Sequence, residues 1–178
     1  MSCAGRVLSR FCAAVVFAAL AVLPGSPVMS QVAPAPAGPF SALVGWWSGE
    51  GRLGFKEGKL ENVKCRATYA SGTVDTLDQS IRCAAASGMI EVKANVAMAE
   101  NRLTGQWTER IHNIAGDIKG EITPRGFQVT VTGAQLSAGM EIMVRGDKQI
   151  VEIQFHDSTL IGLTLVLQKG SAANRPPG

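Results

Sequence analysis

Four cysteines, two histidines and fourteen acids are the residues of this 178-residue chain best equipped for chemistry. Cys3, Cys12, Cys65 and Cys83 form no C-x-x-C pair. With only His112 and His156 beside them they make no zinc set. His156-Asp157-Ser158 spells a catalytic triad in consecutive letters. Adjacent residues on a strand or turn cannot align nucleophile, base and orienting acid, so a polar strand end is expected there. The acids stand singly at positions that read as solvent-facing and offer no pair for general acid–base work. Phosphate-loop and calcium-loop motifs are absent. Lys64, Arg66 and Arg82 can share one outer face, with Glu61 and Asp78 close by in sequence, which reads as a solvated surface. No catalytic residue, metal or cofactor is assigned, and a non-enzymatic protein is expected.

The cysteines become informative through compartment. Residues 1–30 read as a secretory signal peptide. Arg6 and Arg10 supply its positive start, Phe11 to Leu23 is an uncharged apolar run, and Pro24, Gly25 and Pro27 end it. Ser30–Gln31 is the best cleavage bond, with Val28 and Ser30 as small residues at −3 and −1. The apolar run is short for a membrane span, which needs about 20 residues, so no span is expected after cleavage. Cys3 and Cys12 leave with the signal. The two cysteines that remain, in a periplasmic or secreted chain, read as one disulfide, Cys65–Cys83. Pairing them across a hairpin centres its turn on Val74, inside the polar stretch Ser71 to Thr76. Loss of Arg6 and Arg10 takes the 17 basic residues to 15 against 14 acids. So balanced a chain gives no charge argument for a nucleic-acid partner or an anionic membrane.

The elements that must position these residues follow from a period of two, the mark of half-buried strands. Gln31 to Pro39 is Pro/Ala-rich and gives no reason to pack; the lead as a whole is taken as 31–42 and the folded domain as 43–169. Trp47, Gly49, Gly51, Leu53 and Phe55 share a face, as do Val63, Cys65, Ala67 and Tyr69. Similar sets recur at Ile90–Val96, Leu103–Trp107, Phe127–Val131, Met140–Val144 and Val151–Phe155, and the last is Ile161, Leu163, Leu165 and Leu167. Turns are expected at Glu57-Gly58, Pro124-Arg125-Gly126 and Gly146-Asp147. Only Phe40–Val44 suggests a short helical turn. The tail, 170–178, is polar and Pro-rich and is expected to be disordered.

This is the pattern of an all-β antiparallel meander. An open sheet of about ten strands would leave an apolar face and two edges bare. An up-and-down barrel of eight to ten strands removes both, with a two-sheet sandwich as the other architecture. Glycines 49, 51, 105, 116, 120 and 162 suit strands that bend as a sheet closes. A membrane barrel needs aromatic girdles and strands of about 9–11 residues, which the short alternations do not supply.

Gly45-Trp46-Trp47 places a G-x-W at the start of the first strand, which resembles the opening of lipocalins, where the Trp closes the bottom of the barrel. A longer pattern is formed by Gly45-Trp46-Trp47-Ser48-Gly49-Glu50-Gly51, Cys65-Arg66-Ala67-Thr68-Tyr69, Ile81-Arg82-Cys83 and Leu103-Thr104-Gly105-Gln106-Trp107-Thr108-Glu109. It is similar to a family of small exported bacterial calycin-type barrels of unassigned function, over about residues 43–169. The resemblance implies a secreted lipocalin-like barrel with a Cys65–Cys83 bridge and brings no catalytic residue. Other short lipocalin motifs and a C-terminal helix are missing.

Three functions fit. In a binding barrel for a small apolar ligand, Trp47 and Trp107 close the core and Tyr69, Val92, Phe127, Ile142 and Phe155 line the ligand space. The same interior can instead be filled by its own side chains. Alternatively the partner is an envelope protein: small bacterial metalloprotease inhibitors are similar in plan, and the Gln31–Pro39 arm would enter the protease cleft. A structural or stress role in the envelope is the third.

Overall fold

A computed structural model describes residues 37–134, 136–156 and 158–171. The expected signal peptide and most of the Gln31–Pro39 arm and of the C-terminal tail lie outside the described residues. The folded part is built of ten strands: β1 (Gly45–Phe55), β2 (Leu60–Ser71), β3 (Thr76–Ala85), β4 (Gly88–Ala99), β5 (Arg102–Glu109), β6 (Ile114–Thr123), β7 (Gly126–Gly133), β8 (Leu136–Arg145), β9 (Lys148–His156) and β10 (Leu160–Lys169). Each runs antiparallel to the next, and β10 returns to pair with β1, so the sheet closes as an up-and-down barrel without edges.

The register keeps one face of every strand inside. Trp47 opposes Ala67, Cys65 opposes Cys83, Ile81 opposes Val92, Ala94 opposes Trp107 and Ile118 opposes Val131. Alternate residues such as Asn62, Lys64, Arg66 and Thr68 are exposed outside. The wall is therefore apolar inward and polar outward, the reverse of a barrel that faces lipid. No helix among the described residues is long and apolar enough to cross a membrane.

Closing ten strands forces sharp coiling, and the inward glycines show where. A Cβ at Gly51 or Gly116 would run into the carbonyl oxygen of Thr164 or Thr132 on the neighbouring strand. One departure from strict alternation changes a face. Gly54 pairs with Gly162 but Phe55 pairs with Leu160, so the register slips past Ile161. That bulge turns Ile161 outward, 53% exposed, although alternation from Leu163 assigns it to the interior. The chain also reverses after β4 through Glu100 and Asn101, both at positive φ, the pairing that a two-residue hairpin with right-handed twist requires.

One end of the barrel is sealed. The turn at 39–43 lays Phe40 and Leu43 across it, both buried, and Phe40 stacks on Phe127 with ring centroids 5.7 Å apart. Phe40, in the turn expected at Phe40–Val44, contributes its ring to the core. Trp47 is completely buried beside it and donates Nε1–H to the Leu43 carbonyl at 2.7 Å. Lys169 Nζ lies 5.3 Å from the Trp47 ring centroid and donates to the Ala42 carbonyl. Cys65 and Cys83 are buried and disulfide-bonded across β2 and β3, with the turn at the expected place.

Candidate functional site

The interior is not filled. A cavity of about 190 Å³ runs from the sealed end toward the end where β3 ends and β4 begins, with the 86–87 and 110–113 turns. Phe40, Leu43 and Leu103 form its floor; Ala94, Trp107 and Val131 stand on its wall; Ile90 and Leu136 stand near the mouth. Ile90 faces inward yet is 38% exposed, because the barrel is open there. Among the described residues the lining is hydrocarbon, indole and thioether except for Gln79, which sits on the inner face of β3 across from Tyr69 and Ala94.

The expected lining residues separate by depth. Val92, Phe127, Ile142 and Phe155 border the cavity. Tyr69 points inward but is not on the cavity wall. It lies toward the sealed end, where its hydroxyl accepts a hydrogen bond from Gln149 Nε2 at 2.9 Å and both side chains are fully buried. Burial pushes the Tyr69 phenol up to about 12, against a smaller opposing effect of the Gln149 hydrogen bond. Gln149 Oε1 has no hydrogen-bond partner among the described residues. Trp47 belongs to the seal. Trp107 stands in the cavity wall instead of closing an end, its Nε1–H donated to the Thr132 carbonyl at 3.0 Å.

Two acids expected at the surface are buried. Glu61 and Glu109 occupy inward positions near the mouth, at 5% and 6% exposure. Glu61 opposes Leu53, pairs with Lys59 Nζ at 2.6 Å and accepts the Ser87 N–H at 2.9 Å. These contacts, Lys59 first, hold its carboxyl at about 2. Glu109 accepts backbone N–H groups of Glu91, Ile111 and His112, the last at 2.6 Å, with His112 Nδ1 at 2.8 Å. Burial alone would raise its pKa; the four contacts outweigh that and bring it to about 2. Both carboxylates fasten turns at the mouth. Just outside, Glu91 binds Arg82 at 2.7 Å and Arg110 at 3.2 Å, which lowers its pKa, chiefly through Arg82. Lys64, Arg66 and Arg82 do share the outer face of β2 and β3, where Lys64 pairs with Glu50.

Two solved barrels share this fold. Rv2717c from M. tuberculosis superposes with a TM-score of 0.64 at 15% identity, covering 77% of this chain and 99% of that one. The S-type phycobiliprotein lyase CPES from Guillardia theta superposes with a TM-score of 0.55 at 12% identity, covering 75% and 91%. No protein-family model and no curated protein matches the chain. The likeness is one of architecture, an all-β lipocalin-like barrel of ten strands.

Sequence reasoning missed Gln79, Glu61, Glu109 and Gln149 because it ranked polar letters as outward by type. Position was the better signal. Gln79 lies two residues from both Leu77 and Ile81, and Glu61 two before Val63, so alternation places them inside. His156 ends β9 on the outer face, and Ser158 Oγ accepts the Leu160 N–H at 3.1 Å. Asp157 lies outside the described residues.

Proposed function

We propose that this protein is an exported, non-catalytic carrier that encloses one small apolar ligand in its barrel. The cavity carries this reading: a ten-strand wall encloses about 190 Å³ bounded almost wholly by apolar side chains. Protein interiors otherwise close to the density of organic crystals, and an apolar void costs dispersion contacts that a matching ligand restores. Non-catalytic action is supported by the lining, which has no ionisable side chain among the described residues. The buried carboxylates at the mouth are committed to backbone N–H groups and cations. Export is supported by the signal-like first thirty residues and by a disulfide that suits an oxidising compartment. The phycobiliprotein lyase shows that this architecture occurs in a protein named for action on another protein; the sealed floor and open mouth here favour a small ligand.

Native mass spectrometry of the protein purified from the cells that make it, followed by organic extraction, tests the reading. A reproducible added mass that extracts as a small apolar molecule is the expected result. A bare polypeptide that also takes up no apolar probe in vitro overturns it.

A further inference from the structure

We infer that the cavity selects an uncharged ligand of modest size that carries one carbonyl or hydroxyl group, and that it rejects carboxylates. The inference rests on the carrier reading and names the chemistry of its ligand.

Size comes first. An apolar cavity of about 150 Å³ takes up benzene, so a space of 190 Å³ suits a compact molecule of about eight non-hydrogen atoms. The lining then sets polarity. Trp107 could donate a hydrogen bond, but its Nε1–H is already used by Thr132. Gln79 remains, with Leu77 and Ile81 on either side along the inner face of β3. Its amide is engaged by no other side chain among the described residues, and it offers both a donor and an acceptor. A ligand with one matching polar group can bond there, and a purely hydrocarbon ligand leaves the amide unmatched.

Charge decides the rest. Among the described residues no cation lines the cavity, and a carboxylate brought into it would exchange its hydration for hydrocarbon. Nor do the cations beside the buried carboxylates of the mouth compensate. Lys59 is held by Glu61, Arg82 and Arg110 by Glu91, and His112 by Glu109, while Lys56 stands exposed in the β1–β2 turn. An arriving carboxylate would have to compete with protein carboxylates already in place, two of them buried.

The test is a methyl-detected NMR titration of the full chain with ethylbenzene, acetophenone and benzoate, followed at Val92 and Ile142. Acetophenone and benzoate have nearly the same size and shape and differ in charge. Acetophenone is expected to bind at least about tenfold more tightly than benzoate. Gln79→Leu, similar in volume and apolar, should weaken acetophenone roughly two- to tenfold while ethylbenzene holds or improves. Benzoate binding as tightly as acetophenone overturns the inference and leaves the carrier reading intact, since a ligand still enters. An acetophenone-to-ethylbenzene ratio unmoved by Gln79→Leu overturns the role of Gln79. Absence of binding by all three probes overturns the carrier reading and the selectivity with it.

Discussion

Ile142→Trp separates a real cavity from a close-packed core. Ile142 sits in β8 between Phe127 on β7 and Val151 on β9, with its side chain at the cavity wall. Tryptophan adds about 60 Å³; at about 24 cal/mol for each Å³ of cavity removed, the filling gains up to roughly 1.5 kcal/mol. Fitting the indole past its neighbours costs about 1–3 kcal/mol if its rotamer is strained. The two terms nearly cancel, so stability should stay within about 1.5 kcal/mol of the parent. For a barrel of about 125 residues, each kcal/mol moves the melting temperature by roughly 4 °C, which bounds the shift at about 6 °C. Thermal unfolding followed by far-ultraviolet circular dichroism measures this, and NMR titration with ethylbenzene measures the site. The variant should remain folded and lose at least about tenfold in ethylbenzene affinity, because roughly a third of the space is gone. A melting temperature lowered by more than about 10 °C would mean that Ile142 already meets close-packed atoms. A stable variant with unchanged ethylbenzene binding would place the ligand elsewhere.

Other perturbations probe the parts that hold the cavity. Trp47→Ala should cost about 3–5 kcal/mol in denaturant unfolding, since the indole is fully buried and its hydrogen bond to Leu43 is lost; a cost under about 1 kcal/mol would contradict the seal. Phe40→Ala removes the ring stacked on Phe127 and extends the cavity at its floor. It should cost about 3–4 kcal/mol and admit larger apolar probes, read as a shift in the preferred probe size. Replacing Cys65 and Cys83 together by Ala should lower stability by about 2–4 kcal/mol in equilibrium unfolding, because the bridge closes a loop of sequence separation 18. Glu109 gives a pH test. Its carboxyl stands at about 2 when folded against an ordinary 4.5, so the unfolded chain takes up the proton first. Its contribution is complete above about pH 5 and is lost as pH falls through 4.5 toward 2. Glu109→Gln should lower stability at pH 7 and flatten that acid slope, with Glu61 retaining a slope of the same sign; an unchanged acid profile would show that the carboxylate is not held as described.

The strands, most of their inward faces and the disulfide were legible because each depends on alternation along a few residues, or on two cysteines in one hairpin. Trp47, Val63, Cys65, Tyr69, Val96 and Leu165 all lie buried on the faces that alternation assigns. Ile161 failed because a register slip between β1 and β10 joins residues more than a hundred positions apart. Glu61 and Glu109 failed for another reason. Their burial is tolerable only where Lys59, Ser87, Glu91, Ile111 and His112 converge on them, and that convergence is set by turns at the mouth.

Read alone, the amino-acid sequence determined an all-β antiparallel chain of about eight to ten strands and the pairing of Cys65 with Cys83, and it favoured a closed barrel over a two-sheet sandwich. Only the tertiary structure decided that the strands number ten, that Phe40 and Trp47 seal one end, and that Tyr69 lies away from the cavity wall. It alone decided that the interior keeps about 190 Å³ free. The physical reason is that alternation specifies direction, inward or outward, one strand at a time. A cavity is the small difference between the volume that a ten-strand wall encloses and the summed volume of the side chains it turns inward. That difference depends on strand coiling, on the close approach of backbones at Gly51 and Gly116, and on how far the 39–43 turn reaches across the floor.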